Sequence, residues 1–388
     1  MKYASIVPLI GGETIAMEKV FGKRPESIFS YSAFKDNDMQ LLRYYNMEVP
    51  YYLIDKGEAS LSHKLDVVNA VCPCAGLSSL SPSANSDSKT NDWMIESAEY
   101  VLRELRPKVF WGENAPRLAS KMGEPIVEKL RKIGKKYGYT FSLYKTKSIL
   151  HGLSQVRDRS FYFFWKDTRT PILSYFRREH ESIEDTIRSA KNKANNVLTN
   201  DKIPTRDPFY RYVLEVLCEG QKTHAQFMSS LDITIEAMTY IEKRGIGYDR
   251  VANWCESIGE KGVAARCIKY HDKLFKGGNI MRKGVTLPKK RIGAFVGHLP
   301  TLLTHPDEDR FLTIDECLHI MGMPSDFVLQ GGRSNVNMIC QNVPVSTAVD
   351  MAEQVKAYLQ GNLQYSNADF LIQDNKTKTM KPTAQLNI

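Results

Sequence analysis

Short apolar runs alternate with amphipathic stretches over the first 165 residues. The runs at 4–10, 27–32, 49–54, 66–71, 108–111, 140–144 and 159–165 are rich in Val, Ile, Tyr and Phe, and turn-forming residues bound them, which predicts strands. Between them, apolar positions at helical spacing predict helices at 13–21, 38–45, 93–105 and 125–136. Strands separated by helices of this length form a parallel sheet, so the expected fold class is α/β. The order suits a nucleotide-type cofactor held at the carboxyl ends of the strands.

The pattern breaks twice. Residues 78–88 are almost wholly small and polar, which predicts a loop that is either a surface linker or a lid over a substrate. From 182 to about 290 the stretches turn helical, polar and basic; Ser182 followed by Glu184 and Asp185 has the form of a helix start, and a second, smaller domain is expected there. A compact pattern resumes after Arg310, with helices expected at 314–321 and 346–359, and the polar tail beyond Gln360 is expected to fray. The division is therefore 1–181, 182–292, 293–360 and a tail at 361–388. No internal repeat is visible.

A chain of 388 residues, 42% hydrophobic and 25% charged, has the balance of a soluble globular protein with room for two cores. No run reaches the roughly 20 apolar residues of a spanning helix, and the apolar start at 3–10 has no cleavage pattern behind it, so an intracellular location is expected. The seven cysteines (Cys72, Cys74, Cys218, Cys255, Cys267, Cys317, Cys340) are scattered, which argues for reduced thiols. Cys72-Pro73-Cys74 lacks a second pair at ligand spacing, and no metal site is expected. The net charge of +9 favours a polyanionic partner. Between 261 and 291 stand Lys261, Arg266, Lys269, Lys273, Lys276, Arg282, Lys283, Lys289, Lys290 and Arg291, with Asp272 the one acid, a density that fits either a solvated face or a phosphate-binding surface.

The run 66–74 reads as a buried strand that delivers Cys74 at its carboxyl end. Such a cysteine is either a small buried hydrophobe or a nucleophile. Pro73-Cys74-Ala75-Gly76-Leu77-Ser78 resembles the Pro-Cys motif of DNA cytosine C5-methyltransferases. Glu113-Asn114 at the end of the strand near 108–111 resembles the family's Glu-Asn pair, and Gln155-Val156-Arg157-Asp158-Arg159 its Gln-x-Arg-x-Arg motif. Residues 310–316 and 321–327 are similar to the family's returning segment, with Gln341-Asn342 near its Gly-Asn motif. The likeness covers 3–165 and 305–359, and the unmatched middle falls where the family carries its target-recognition domain.

The resemblance implies a Rossmann-like methyltransferase sheet with a second, smaller target-recognition domain, S-adenosylmethionine as cofactor and double-stranded DNA as partner. It implies a monomer on DNA, in the cytoplasm of a bacterium or of a phage-infected cell, in restriction-modification or a related role. Cys74 would attack C6 of a flipped cytosine, Glu113 would bind the base edge, and Arg159, with Arg157, would bind the base carbonyl and favour the thiolate. The alternative to catalysis for Glu113 is a strand-end cap, and for Gln155, Arg157 and Arg159 a solvated edge strand. Ile10, Gly11, Gly12, Asp36, Asp55, Pro73 and Asn342 would hold the cofactor, and Ser78, Gln155, Lys289, Lys290 and Arg291 would contact nucleic acid.

The first loop departs from the family. Leu9 stands at a glycine position, and Ser32 where the family has a ribose-binding acid, with Asp36 one helical turn later. Ala75 replaces a Gln, and Gln341 a Gly. These changes leave open a DNA-binding relative without turnover, or a different donor.

Overall fold

The computed structural model describes residues 1–58, 64–72, 75–77, 85–191, 196–200, 208–217, 226, 247–278, 291–296 and 299–382. Among them is a sheet of nine strands, and the chain divides into two units.

The first unit comprises Met1–Glu181, Met321–Gln330 and Gln341–Ile388. Its sheet holds β1 (Tyr3–Ile6), β2 (Ser27–Ser30), β3 (Tyr51–Leu53), β4 (Val67–Ala70), β5 (Val109–Asn114), β6 (Thr140–Lys147) and β8 (Asp158–Trp165), with β7 (Gln155–Val156) and β9 (Thr170–Ile172) outside it. The order from one edge is β3, β2, β1, β4, β5, β8, β6, and two C-terminal strands follow. Neighbours from β3 to β5 are parallel, while β8 runs antiparallel between β5 and β6. Helices α1 (Gly12–Phe21), α2 (Lys35–Tyr44), α3 (Asp92–Tyr100) and α4 (Glu124–Tyr137) link the strands. The α/β expectation holds. Chain direction out of the sheet reverses between β1 and β4, and in open sheets of this kind ligands bind beside that point.

Burial on both faces explains the composition of the central strands. Across β5 and β8, Phe110 stacks on Phe164 at 5.5 Å and Trp111 on Phe163 at 5.9 Å, so the paired aromatics fill both sides of the sheet. Helix α1 packs against the helix Val345–Leu359, which brings the far end of the chain onto the start.

Three expectations are corrected. β1 ends at Ile6 rather than at 10, because Val7 and Leu9 take left-handed φ values of 47° and 54° that no strand accommodates. The solvated edge strand considered for 155–159 fails, since Gln155 and Arg157 are buried and Arg159 stands in β8, which lies inside the sheet. The tail does not fray at Gln360: Phe370–Asp374 pairs in parallel with β6, Thr379–Pro382 closes the edge, and Gln364–Ser366 pairs with β9. Its anchors are Phe370 and Leu371, both buried, and Gln373, whose amide accepts from Leu173 N and donates to Leu173 O. An exposed last strand carrying Lys381 and Pro382 is a poor template for further pairing.

The second unit comprises Ser182–Ile320 and Gly331–Cys340, so the chain returns to the first unit at Met321, later than the expected 293. Ser182 Oγ accepts the Asp185 amide at 3.1 Å, capping the helix Ile183–Arg188. The helices Tyr248–Ser257 and Lys261–Phe275 pack on each other through Val251, Ala252, Cys255, Ala264 and Cys267. Arg310 forks onto the buried carboxylate of Glu316, fixing the turn into the helix Ile314–Ile320.

Candidate active site

The carboxyl end of β5 carries Glu113 and Asn114, both buried. Because β8 runs antiparallel beside it, with Glu113 opposite Phe161 and Asn114 opposite Ser160, Arg159 arrives at that same end. Its Nε pairs with Glu113 Oε1, an ion pair whose side chains are 12% and 4% exposed. Asn114 Oδ1 accepts the Ala115 amide at 2.8 Å, which closes the strand. Arg157 is buried; its amide donates to Ser148 Oγ at 2.9 Å, and its carbonyl accepts the Ser148 amide at 3.0 Å. Gln155, expected on nucleic acid, is fully buried; its amide nitrogen faces Met321 Sδ at 3.6 Å and its Oε1 has no hydrogen-bond partner among the described residues. The side chain thus offers a buried amide with one unmet acceptor rather than a surface group.

Cys74, Pro73 and Ser78 lie outside the described residues. Cys72, two positions earlier, is buried against Ser97 Oγ and the Trp93 carbonyl at 3.6 and 3.7 Å. Burial pushes its thiol up to about 12, so at neutral pH Cys72 is a protonated core residue rather than a nucleophile.

The chain between β1 and α1 turns by left-handed residues at alternate positions: Val7, Leu9 and Gly11, the last at φ 100°. A Cβ at Gly11 would meet Leu41 Cδ1 at 2.4 Å, and one at Gly12 would meet Val343 O at 2.0 Å. Gly12 is thus required by its close approach to backbone, and Gly11 by its φ. The Gly12 amide donates to Asn342 Oδ1 at 2.8 Å, joining residues 330 apart in sequence. Of the expected cofactor residues, Gly12 and Asn342 are therefore brought together, with Ile10 buried beside them in the turn. Leu9 keeps a glycine-like conformation at a cost of about 1–2 kcal/mol. Its amide donates to Asp38 Oδ1 at 3.1 Å, and a hydrogen bond of this kind contributes about 0.5–1.5 kcal/mol, which offsets much of that cost.

Asp55, in the turn after β3, accepts the Ser32 amide at 3.0 Å. Burial raises its carboxyl, but the bonds from Ser32 and its own amide, with the charge of Lys56, together outweigh this and hold it below its ordinary value. One carboxylate thus reaches the Ser32 position where the family's other acid is missing. Asp36 sits exposed in the first turn of α2. Beside Ser32, the rings of Tyr31 and Phe34 meet Trp93 edge-on at 4.6 and 5.3 Å. A glycine turn at the sheet's reversal point, an ionised carboxylate and an aromatic wall fit an adenosine-bearing donor.

Sequence reading missed Asp38, Glu13 and the aromatic wall. Glu13 is fully buried at the start of α1; Asn69 donates to its Oε2 at 3.0 Å, and Asn69 in turn accepts Ser5 Oγ. Burial, with the charge of Glu113 adding to it, raises the Glu13 carboxyl well above its ordinary value. The available signal was an acid directly after Gly11-Gly12, where a helix enters the core.

Of the expected phosphate contacts, Lys289 and Lys290 lie outside the described residues, and Arg291 is exposed in the second unit. In the helix Lys261–Phe275, Ala264 and Cys267 are buried while Lys261, Arg266, Lys269 and Lys273 are exposed. Among the described residues no group of three or more His, Cys, Asp or Glu is placed to hold a metal ion, and no helix is long and apolar enough to cross a membrane.

Comparison with known proteins bears on the same features. A chain described as a DNA modification methyltransferase encoded within an E. coli prophage superimposes with a TM-score of 0.58 at 14% identity, covering 93% of this chain and 99% of the other. A methyltransferase of Entamoeba histolytica superimposes with a TM-score of 0.55 at 12% identity, covering 92% and 98%. At such identities the likeness is one of fold. No curated protein matches the chain. The model of the family described as C-5 cytosine-specific DNA methylase matches residues 1–357. The chain therefore belongs to the C-5 cytosine-specific DNA methylase family, enzymes that methylate cytosine C5 in DNA with S-adenosylmethionine as the methyl donor.

Proposed function

We propose that the enzyme works on a cytosine swung out of duplex DNA, through a covalent bond between Cys74 and C6 of the ring. The observation that carries this reading is the Glu113–Arg159 ion pair, buried at adjoining ends of β5 and β8. C5 of cytosine is a weak nucleophile; addition of a thiolate to C6 pushes electron density onto C5, N3 and the carbonyl oxygen. Glu113 is the group to hold N3 and the exocyclic amine, and Arg159 the group to hold the carbonyl, so the pair meets the charge that develops on the base edge. Arg157 supports them from its bonds to Ser148. On this reading the Arg159 guanidinium also favours the thiolate form of Cys74.

The donor supplies a methyl group on a positively charged sulfur. Gly11 turns the loop by its positive φ, Gly12 packs its backbone against Val343, Asn342 holds the turn through the Gly12 amide, and Asp55 with the wall of Tyr31, Phe34 and Trp93 suits the adenosine part. Once C5 is methylated, loss of its proton allows Cys74 to leave. Extrusion of the base costs a few kcal/mol, supplied by contacts to the DNA backbone. The second unit, with its exposed basic helix Lys261–Phe275 and Arg291, is the source of those contacts.

Duplex DNA with 5-fluorocytosine at the target tests the covalent step, because fluorine at C5 cannot be removed as the proton is. With S-adenosylmethionine the wild-type chain should give a DNA adduct that survives denaturing electrophoresis, and Cys74→Ser should give none. An adduct persisting in Cys74→Ser would overturn the reading.

A further inference from the structure

We propose that Asp38 is the positioning residue of the donor loop: its carboxyl, oriented by Ser30 and Tyr51, fixes Leu9 in the left-handed conformation and so shapes the surface the methyl donor meets. The inference rests on the reading of residues 7–12 as the donor loop.

The loop leaves β1 where the sheet order reverses, and it must turn sharply to start α1. It does so with three left-handed residues, of which only Gly11 has no Cβ. Leucine does not hold such a conformation unaided, because its Cβ crowds the following carbonyl. Asp38 supplies the constraint. It is the fourth residue of α2 and fully buried; its Oδ1 accepts the Leu9 amide at 3.1 Å, and its Oδ2 accepts the hydroxyls of Ser30, at the end of β2, and Tyr51, in β3 at 3.0 Å. One carboxyl thus ties the loop to three other elements.

A buried carboxyl is costly to desolvate, more so than an amide of the same shape. Its retention there is explained by what it accepts: three donors converge on it, and the one from the loop is a backbone amide whose direction is set by the φ of Leu9. An Asn side chain has one acceptor oxygen, and its NH2 would face the two hydroxyls and force them to turn. Asp36, two residues earlier, points to solvent and has no such role.

The test measures S-adenosylmethionine binding by calorimetry on the full chain, with duplex DNA affinity measured separately. Asp38→Asn should weaken donor binding by roughly ten-fold or more and leave DNA affinity unchanged. Adding Leu9→Gly to that variant should recover most of the loss, because glycine adopts positive φ without a brace. Equal losses of donor and DNA affinity, or no recovery with glycine, would make Asp38 a general stability residue and overturn the inference. Should Asp38→Asn fail to fold, Tyr51→Phe, which removes one hydroxyl that orients the carboxyl, should give a smaller loss of the same selectivity; no loss there overturns it equally. Hydrogen exchange separates this from the reading beneath it. The amides of Val7 and of residues 9–12 of the wild type gain protection when the donor is added if they form the donor loop. If they gain none, both readings fail; if they gain it while Asp38→Asn binds normally, only the role of Asp38 does.

Discussion

Cys72, two positions before Cys74, illustrates how environment decides chemistry. Cys72 faces Ser97 and Trp93 in the core, and burial pushes its thiol up to about 12, so Cys72→Ser should lower thermal stability while leaving methyl transfer to DNA measurable. Loss of all transfer in a folded Cys72→Ser protein would show that the nucleophile had been misassigned. Asp38 makes a second case. Burial, opposed by bonds from Ser30, Tyr51 and the Leu9 amide, raises its carboxyl from near 3.8 to about 7. The folded state therefore binds a proton that the unfolded chain has lost between pH 4 and 7. Stability from this group is fully present below about 4 and falls as pH rises through 7, with a slope near 1.4 kcal/mol per pH unit where the protonation states differ fully. Asp38→Asn does not titrate, so denaturant midpoints of wild type and variant, compared from pH 4 to 8, should show the wild type losing more; parallel curves would refute the shifted carboxyl.

At the scale of elements, a close backbone approach joins the start of α1 to Asn342 and Val343, just before the helix Val345–Leu359. Gly12→Ala would place a methyl 2.0 Å from Val343 O and 2.7 Å from Asn342 Oδ1, against backbone that cannot turn aside. It should cost about 1–3 kcal/mol or more and weaken donor binding. Gly22 provides the contrast: a Cβ there meets nothing within 4 Å, so Gly22→Ala should cost only about 1 kcal/mol, from its φ of 73°, and leave donor affinity alone. Calorimetry and thermal melts on both variants decide it; equal effects would deny the Gly12 approach its special role. The sheet itself was legible in sequence because its strands are apolar runs with clear turn residues between them. Glu113 and Arg159 were found through motif residues at strand ends, although only the antiparallel insertion of β8 shows why they meet. What sequence did not reveal depends on neighbours remote along the chain. Asp38 looks like an ordinary first-turn helix acid until Leu9 is folded against it, and Phe370–Asp374 is too short a run, after too polar a stretch, to announce a strand that completes a distant edge.

At the scale of the whole molecule, charge connects the enzyme to its substrate. A net charge of +9 attracts any polyanion, yet only cations able to reach a phosphate displace counterions on binding. On the helix Lys261–Phe275 the buried side of Ala264 and Cys267 turns Arg266, Lys269 and Lys273 toward solvent, whereas Arg211 of the same unit is held by Glu260 and Glu215. If this face meets DNA, the logarithm of affinity should fall linearly with the logarithm of salt concentration. Replacing Arg266, Lys269 and Lys273 together by Gln should then flatten the slope by about 0.9 for each phosphate that the variant no longer neutralises. Donor affinity, which the proposed function assigns to residues of the first unit, should not change. Direct titrations with duplex DNA over a series of salt concentrations give the slope; an unchanged slope in the triple variant would make the basic face a solvated one and move DNA binding to other residues.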